Sequence, residues 1–183
     1  EELIESGNLP LLLEFIQNQD ILSNDSILIF VTNIIANVTT APESRLKSED
    51  PQDRLLTAML KLFVFPISNT CKLFQSICYS LANIIVNNNQ HDFEIFNKSN
   101  FIDKVISYGH KIKIPLEKAY ALSFLIKNIL INKFMSTNMY VLELIKINIK
   151  IIDLFEDENI EFDCVTSFNL FLESNVHYNC NKL

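Results

Sequence analysis

Glycine is almost missing from this chain: two residues in 183, Gly7 and Gly109, beside five prolines. Strand-rich folds turn often and depend on such residues. Their scarcity, next to abundant Leu, Ile and Lys, predicts an all-α fold with short connections. It also excludes a P-loop or a dinucleotide fingerprint, which need clustered glycines where backbone approaches phosphate. Long apolar runs are missing too. Leu60 to Ile67 and Ile126 to Ile131 fall well short of the roughly 20 residues that span a bilayer, so no membrane span is expected. The opening Glu1-Glu2-Leu3 has neither the basic nor the apolar region of a secretory signal.

Cys71, Cys78, Cys164 and Cys180 contain no CxxC pair and no histidine at finger spacing, so neither a zinc site nor a small disulfide framework is indicated. They read as reduced packing cysteines in a cytoplasmic or nuclear protein. His91, His110 and His177 lie far apart and accompany no nucleophile motif, HExxH or framed carboxylate pair, so no catalytic constellation, metal or cofactor is predicted. The formal net charge is −7, and the basic residues are scattered where a phosphate-binding surface would gather them in a stripe. Direct nucleic-acid binding is not expected. A mildly acidic surface favours basic partners through long-range attraction.

What is present is a 49% apolar chain with a repeat. From Asp25 to Val38, Ile27, Val31, Ile34, Ile35 and Val38 follow helical spacing, and Ile29, Asn33 and Asn37 lie on the adjoining face. A shift of 50, from Asn33 to Asn83, lands on Ile77, Leu81, Ile84 and Ile85 with Tyr79, Asn83 and Asn87 beside them. A shift of 45, from Asn83 to Asn128, gives Leu122, Ile126, Ile129 and Leu130 with Phe124, Asn128 and Asn132. Three helices share one template. Shifts of 45 and 50 lie close to the roughly 40–47-residue period of helical solenoids.

The intervening pieces fit. Pro10 opens a short helix at Leu11 to Ile16, and Pro51 opens a run whose helix, Leu55 to Phe63, ends at Pro66. Phe93 to Phe96 makes one turn, Asn100 can cap Phe101 to Tyr108, Gly109 can serve as C-cap, and Pro115 starts the third template helix. A fourth, less regular unit places helices at Tyr140 to Phe155 and Ile160 to Leu172. Its last helix has two registers: one aligns Asn169 with the earlier asparagines, the other buries Val165, Phe168 and Leu172. The repeats thus span about 3–38, 51–88, 92–132 and 137–174, with a polar loop at 39–50 and a tail at 175–183. Glu156, Asp157, Glu158, Glu161 and Asp163 read as a solvated turn. Because the chain opens in mid-repeat, a preceding segment is expected, and truncated repeats would leave apolar ends for further chain or another subunit to cover.

The Ser6-Gly7-Asn8-Leu9-Pro10-Leu11-Leu12 turn and helix, the recurring helix rich in Asn-Ile, and the spacing of Asn33, Asn83 and Asn128 resemble the armadillo family, most closely the middle repeats of importin α. The resemblance covers residues 3 to 172. It implies a right-handed α-solenoid whose third helices line a concave groove for an extended basic peptide, of the nuclear-localisation type. It further implies an adaptor role, with an importin-β-like carrier as partner. An asparagine amide can both donate to and accept from a peptide backbone. By position, the groove residues are Asn33, Asn37, Tyr79, Asn83, Asn87, Phe124, Asn128 and Asn132. The family's tryptophans, which stack on Lys and Arg, are replaced by Ile29, Tyr79 and Phe124. The chain has no tryptophan at all, so a basic-peptide groove is expected to be weaker or re-specified. The alternative is a structural subunit of a larger assembly.

Overall fold

The computed structural model describes residues 11, 14–15, 24–40, 49–64, 70–86, 90–111, 113–132, 138–158, 160–166, 168–169 and 172. For 35–40, 49–55, 64, 90–92 and 138–139 it describes the backbone alone. The expected opening turn at Ser6 to Pro10 lies outside these residues, as does half of the helix expected at Leu11 to Ile16.

Among the described residues the ordered elements are α1 (Asp25–Thr40), α2 (Glu49–Val64), α3 (Cys71–Val86), α4 (Gln90–Lys98), α5 (Phe101–Gly109), α6 (Leu116–Ile131) and α7 (Asn138–Phe155). A further helical stretch follows at 160–166. All are helical, and together they form an α-solenoid. The three template helices are α1, α3 and α6. They stand side by side, with α3 packed most extensively on α6 and α1, while α2, α4, α5 and α7 form the layer behind.

The stripe read from the sequence is the buried one on α3 and α6: Ile77, Leu81, Ile84 and Ile85, then Leu122, Ile126, Ile129 and Leu130. On α1 the burial is rotated, with Leu28, Val31 and Thr32 inside and Ile27 and Ile34 only half-buried. The second layer is tied to the first by aromatic contacts. Phe63 of α2 meets Phe74 of α3 and Phe101 of α5 at 6.0 and 5.4 Å between ring centres, Phe96 meets Phe101 at 5.0 Å, and Tyr108 stacks on Phe74 at 4.7 Å. Each such pair adds roughly 0.5–1.5 kcal/mol to the burial of the rings themselves.

Side chains close several helix starts. Asn24 Oδ1 accepts from the Ile27 amide at 3.2 Å, Thr70 Oγ1 from Leu73 at 3.4 Å, and Asp157 Oδ1 from Ile160 at 3.3 Å. Each satisfies one of the amides that a first helical turn leaves unpaired.

The sequence reading needs correction at several boundaries. Helix α1 runs to Thr40, and α2 starts at Glu49, so the connection between them is shorter than the polar composition suggests. Pro51 is accommodated in the first turn of α2, where its missing N–H would have had no helical partner. Helix α4 spans nine residues where a single turn was expected. Asn100 does sit at the N-cap of α5, but in the left-handed region (φ 51°, ψ 40°) and with no side-chain cap bond. Gly109 is the last residue of α5, with His110 as the right-handed C-cap. It is needed for close approach: a Cβ there would lie 2.6 Å from Ile147 Cγ2 and 2.8 Å from its Cδ1. The Lys150 ammonium of α7 reaches the carbonyls of Gly109 at 3.2 Å and Lys111 at 3.0 Å, placing a cation where the α5 dipole is negative.

Candidate functional site

Successive template helices are joined by side chains one helical turn apart, and the joints differ in chemistry. Between α1 and α3 the joint is hydroxylic. Thr32 Oγ1 lies 2.7 Å from Ser76 Oγ, the Ser76 hydroxyl donates to Asn33 Oδ1 at 2.5 Å, and the Ser80 hydroxyl reaches the Thr32 carbonyl at 3.0 Å. Thr32, Ser76 and Ser80 are buried, so these bonds satisfy groups that would otherwise be costly to remove from water.

Between α3 and α6 the joint is aromatic. Tyr79 and Phe124 meet edge to face, 5.3 Å between ring centres at 75°. Tyr79 remains 38% exposed. Burial of its ring first, with the neighbouring Cys78 and Asp163 adding to it, pushes its hydroxyl above the ordinary tyrosine value, so near neutral pH it is an uncharged donor and acceptor.

The next joint, from α6 to the segment after α7, is ionic. Lys127 Nζ sits 5.8 Å from the Phe124 ring centre and 2.6 Å from Asp163 Oδ1, and Tyr120 donates from its hydroxyl to Asp157 Oδ1. Two of the acidic residues read as a solvated turn are therefore used as anchors. The charged side chains of Lys127 and Asp163 are only 20% and 21% exposed. Carboxylate content alone could not reveal this, because the partners lie 36 and 37 positions earlier on α6.

The asparagines divide by environment. Asn33 is exposed and shares Ser76, and Asn83 is half-buried. Asn128 is only 5% exposed, and its amide donates to the Phe124 carbonyl of its own helix at 2.8 Å. Asn132, just beyond α6, donates to the Ile85 carbonyl at 2.8 Å and so closes the end of α3. Asn37 and Asn87 have side chains outside the described residues. Ile29 is half-buried against the core. The structure therefore brings Asn33, Tyr79, Asn83 and Phe124 onto adjoining helices, with Lys127 and Asp163 continuing the row.

A second feature lies beyond α7. Ile145, Ile149 and Ile152, with Cys164, Val165 and Phe168, line an apolar cavity of about 210 Å³. Asn148 also lines it, and both atoms of its side-chain amide are buried with no hydrogen-bond partner among the described residues. Ile160 and Cys164 are buried, whereas Val165, Phe168 and Leu172 are exposed. Among the described residues no cluster of three His, Cys, Asp or Glu could hold a metal, and no helix is long and apolar enough to cross a membrane. Cys71 and Cys78 are free thiols.

The arrangement of side-by-side third helices with a layer behind them is that of an armadillo-type repeat fold. Solved structures share it, among them three designed or engineered proteins. An engineered protein from a structural genomics consortium superposes with a TM-score of 0.66 at 14% identity, covering 93% of this chain and 66% of its own. A designed armadillo repeat protein in complex with the peptide (KR)4 gives 0.65 at 16% identity, covering all of this chain and 76% of its own. A computationally designed armadillo repeat protein for modular peptide recognition gives 0.63 at 16% identity, covering 92% and 66%. The chain thus spans about two thirds of the first and third of these. No protein-family profile matches the sequence, and no curated protein is significantly similar to it.

Proposed function

We propose that this chain is a non-catalytic scaffold that binds an extended, basic protein segment across α1, α3 and α6. The Tyr79–Phe124 pair carries the reading. It presents a half-exposed aromatic surface on adjoining third helices, at the place from which a lysine or arginine stem can be gripped, with Asn83 one turn beyond Tyr79 and Asn33 at the matching place on α1. Aromatic faces attract cations by roughly 0.5–1 kcal/mol where exposed and more where dry. The net charge of −7 adds attraction at longer range. The similarity in fold to a designed protein holding (KR)4 supports the same ligand class.

The full set proposed for the groove is Asn33, Asn37, Tyr79, Asn83, Asn87, Phe124, Asn128 and Asn132, with unequal roles. In this reading Asn33, whose Oδ1 also accepts from Ser76, and Asn83 contact the peptide backbone, whereas Asn128 and Asn132 shape the groove by holding helical carbonyls. Calorimetric titration with (KR)4 at low salt tests the proposal. Micromolar binding that weakens several-fold on Tyr79→Ala and Asn83→Ala is expected; an undetectable heat, or indifference to both changes, rejects it. An import-adaptor role in cytoplasm and nucleus is the narrower form, resting on the resemblance to importin α. It requires in addition that full-length protein recruit an importin-β-like carrier, which a pull-down with that carrier decides.

A second reading, a fixed structural subunit, is favoured by the exposed apolar side chains of Leu142, Ile149, Phe162, Val165 and Phe168 around the far end. A partner that masks these residues from limited surface labelling while leaving Tyr79 labelled would favour it.

A further inference from the structure

The three template helices differ in the residue that precedes the groove asparagine. The residue before the groove asparagine is Thr32 on α1, Ala82 on α3 and Lys127 on α6. Thr32 is consumed by the Ser76 joint and Ala82 is buried, so only α6 sends a long cationic side chain onto the row. That side chain ends between the Phe124 ring, 5.8 Å away, and the Asp163 carboxylate, 2.6 Å away.

An aromatic face beside a carboxylate is the environment that would select a lysine or arginine of a ligand, since both partners favour a cation and neither favours an anion. Here the cation comes from the chain itself. We infer that Lys127 is a built-in occupant of a cation-binding subsite formed by Phe124 and Asp163, and that it sets the groove's affinity by competing with the basic side chain of a bound peptide.

The inference rests on the basic-peptide reading above and sharpens it. A ligand cation that enters must expel Lys127, and exchanging one cation for another at Phe124 and Asp163 gains almost nothing. Without Lys127, Asp163 would lose its partner while remaining largely sheltered from water, and a ligand cation would restore the pair. Removing Lys127 should therefore strengthen basic-peptide binding, and the gain should depend on Asp163. A mere reduction of positive charge near the groove would also strengthen binding, but would not require that carboxylate.

The test is a titration of the 183-residue chain with (KR)4 in four forms: wild type, Lys127→Ala, Asp163→Asn and the double variant. Lys127→Met repeats the measurement with the aliphatic stem retained, should alanine loosen the joint, and helical ellipticity confirms folding of each form. Binding about five- to ten-fold tighter for Lys127→Ala and Lys127→Met, with the gain abolished when Asp163 is asparagine, is expected. Wild-type binding that is unchanged or weakened by both Lys127 variants overturns the inference and leaves the basic-peptide reading standing. A gain that survives Asp163→Asn also overturns it, because long-range charge then accounts for the effect. No binding by any form overturns both.

Discussion

Asn148 offers a sharp test of the packing at the end of the solenoid. It is 4% exposed on α7, and neither its amide nitrogen nor its amide oxygen finds a hydrogen-bond partner among the described residues. Leaving a buried polar group unpaired costs about 1–3 kcal/mol, and replacement by an apolar group of the same branched shape removes that cost. Leucine has that shape. Its extra bulk has room in the adjoining cavity of about 210 Å³ between Ile145, Ile149, Ile152, Val165 and Phe168. Asn148→Leu should therefore stabilise the fold by about 2 kcal/mol, which for a chain of this size raises the melting temperature by about 4–8 °C. Urea unfolding followed by helical ellipticity measures it, with an unchanged dependence on denaturant showing that the gain lies in the folded state. Asn148→Ala separates the causes, since it removes the same polar atoms but enlarges the cavity, and it should gain less. A lower unfolding midpoint for Asn148→Leu, with the fold otherwise intact, would show that the amide is satisfied and refute the reasoning.

Three further outcomes follow from other contacts. Gly109→Ala should cost about 1–3 kcal/mol by driving a methyl into Ile147, and part of that loss should disappear in an Ile147→Ala background; additive losses in a double-mutant cycle would exclude the clash. Ser76→Ala should destabilise by about 0.5–1.5 kcal/mol, because it removes the Thr32–Ser76 bond while leaving the Thr32 hydroxyl the Ile29 carbonyl at 3.1 Å, and Thr32→Val on top of it should cost little more. Alkaline titration should loosen the fold: burial holds the Cys164 thiol and the Tyr108 hydroxyl up at about 12 each, above their ordinary values of 9.0 and 10.0. The unfolded chain thus loses these protons first, so their contribution is complete below about pH 9 and declines as pH rises towards 12. Thermal melts from pH 8 to 11 should show a falling midpoint, less steep in Cys164→Ala, and a flat profile would count against burial of these groups.

The fold was legible because its signal is periodic and local. Apolar spacing on the second and third template helices places Ile77, Leu81, Ile84 and Ile85, and then Leu122, Ile126, Ile129 and Leu130, on one face with no knowledge of their neighbours, and those residues are the core. On α1 the same template was offset, because Thr32 turns inward to meet Ser76, a pairing 44 residues away that no window on one helix contains. Gly109 was noticed for the wrong reason. Its place at a helix end suggests a C-cap, while the actual demand, clearance for Ile147, comes from a helix that begins almost thirty positions later.

The candidate site was legible in outline only. Position along the repeat singles out Tyr79 and Phe124, and the structure joins them, but the side chain that completes their row, Lys127, is in the sequence one of many scattered basic residues. Its difference from Thr32 and Ala82 at the same place in the repeat was a signal available in the sequence. The burial of Asn128 was not, since an asparagine that bonds to its own helix and one that faces a groove have the same spacing.

The most direct measurement is an amide-shift titration of the isotopically labelled chain with (KR)4 at low salt. Saturable shifts centred on Asn33, Tyr79, Asn83, Phe124 and Asp163, along one face of α1, α3 and α6, are expected. Shifts confined to α7 and residues 160–172, or no shifts at millimolar peptide, would contradict a peptide-binding face on the third helices.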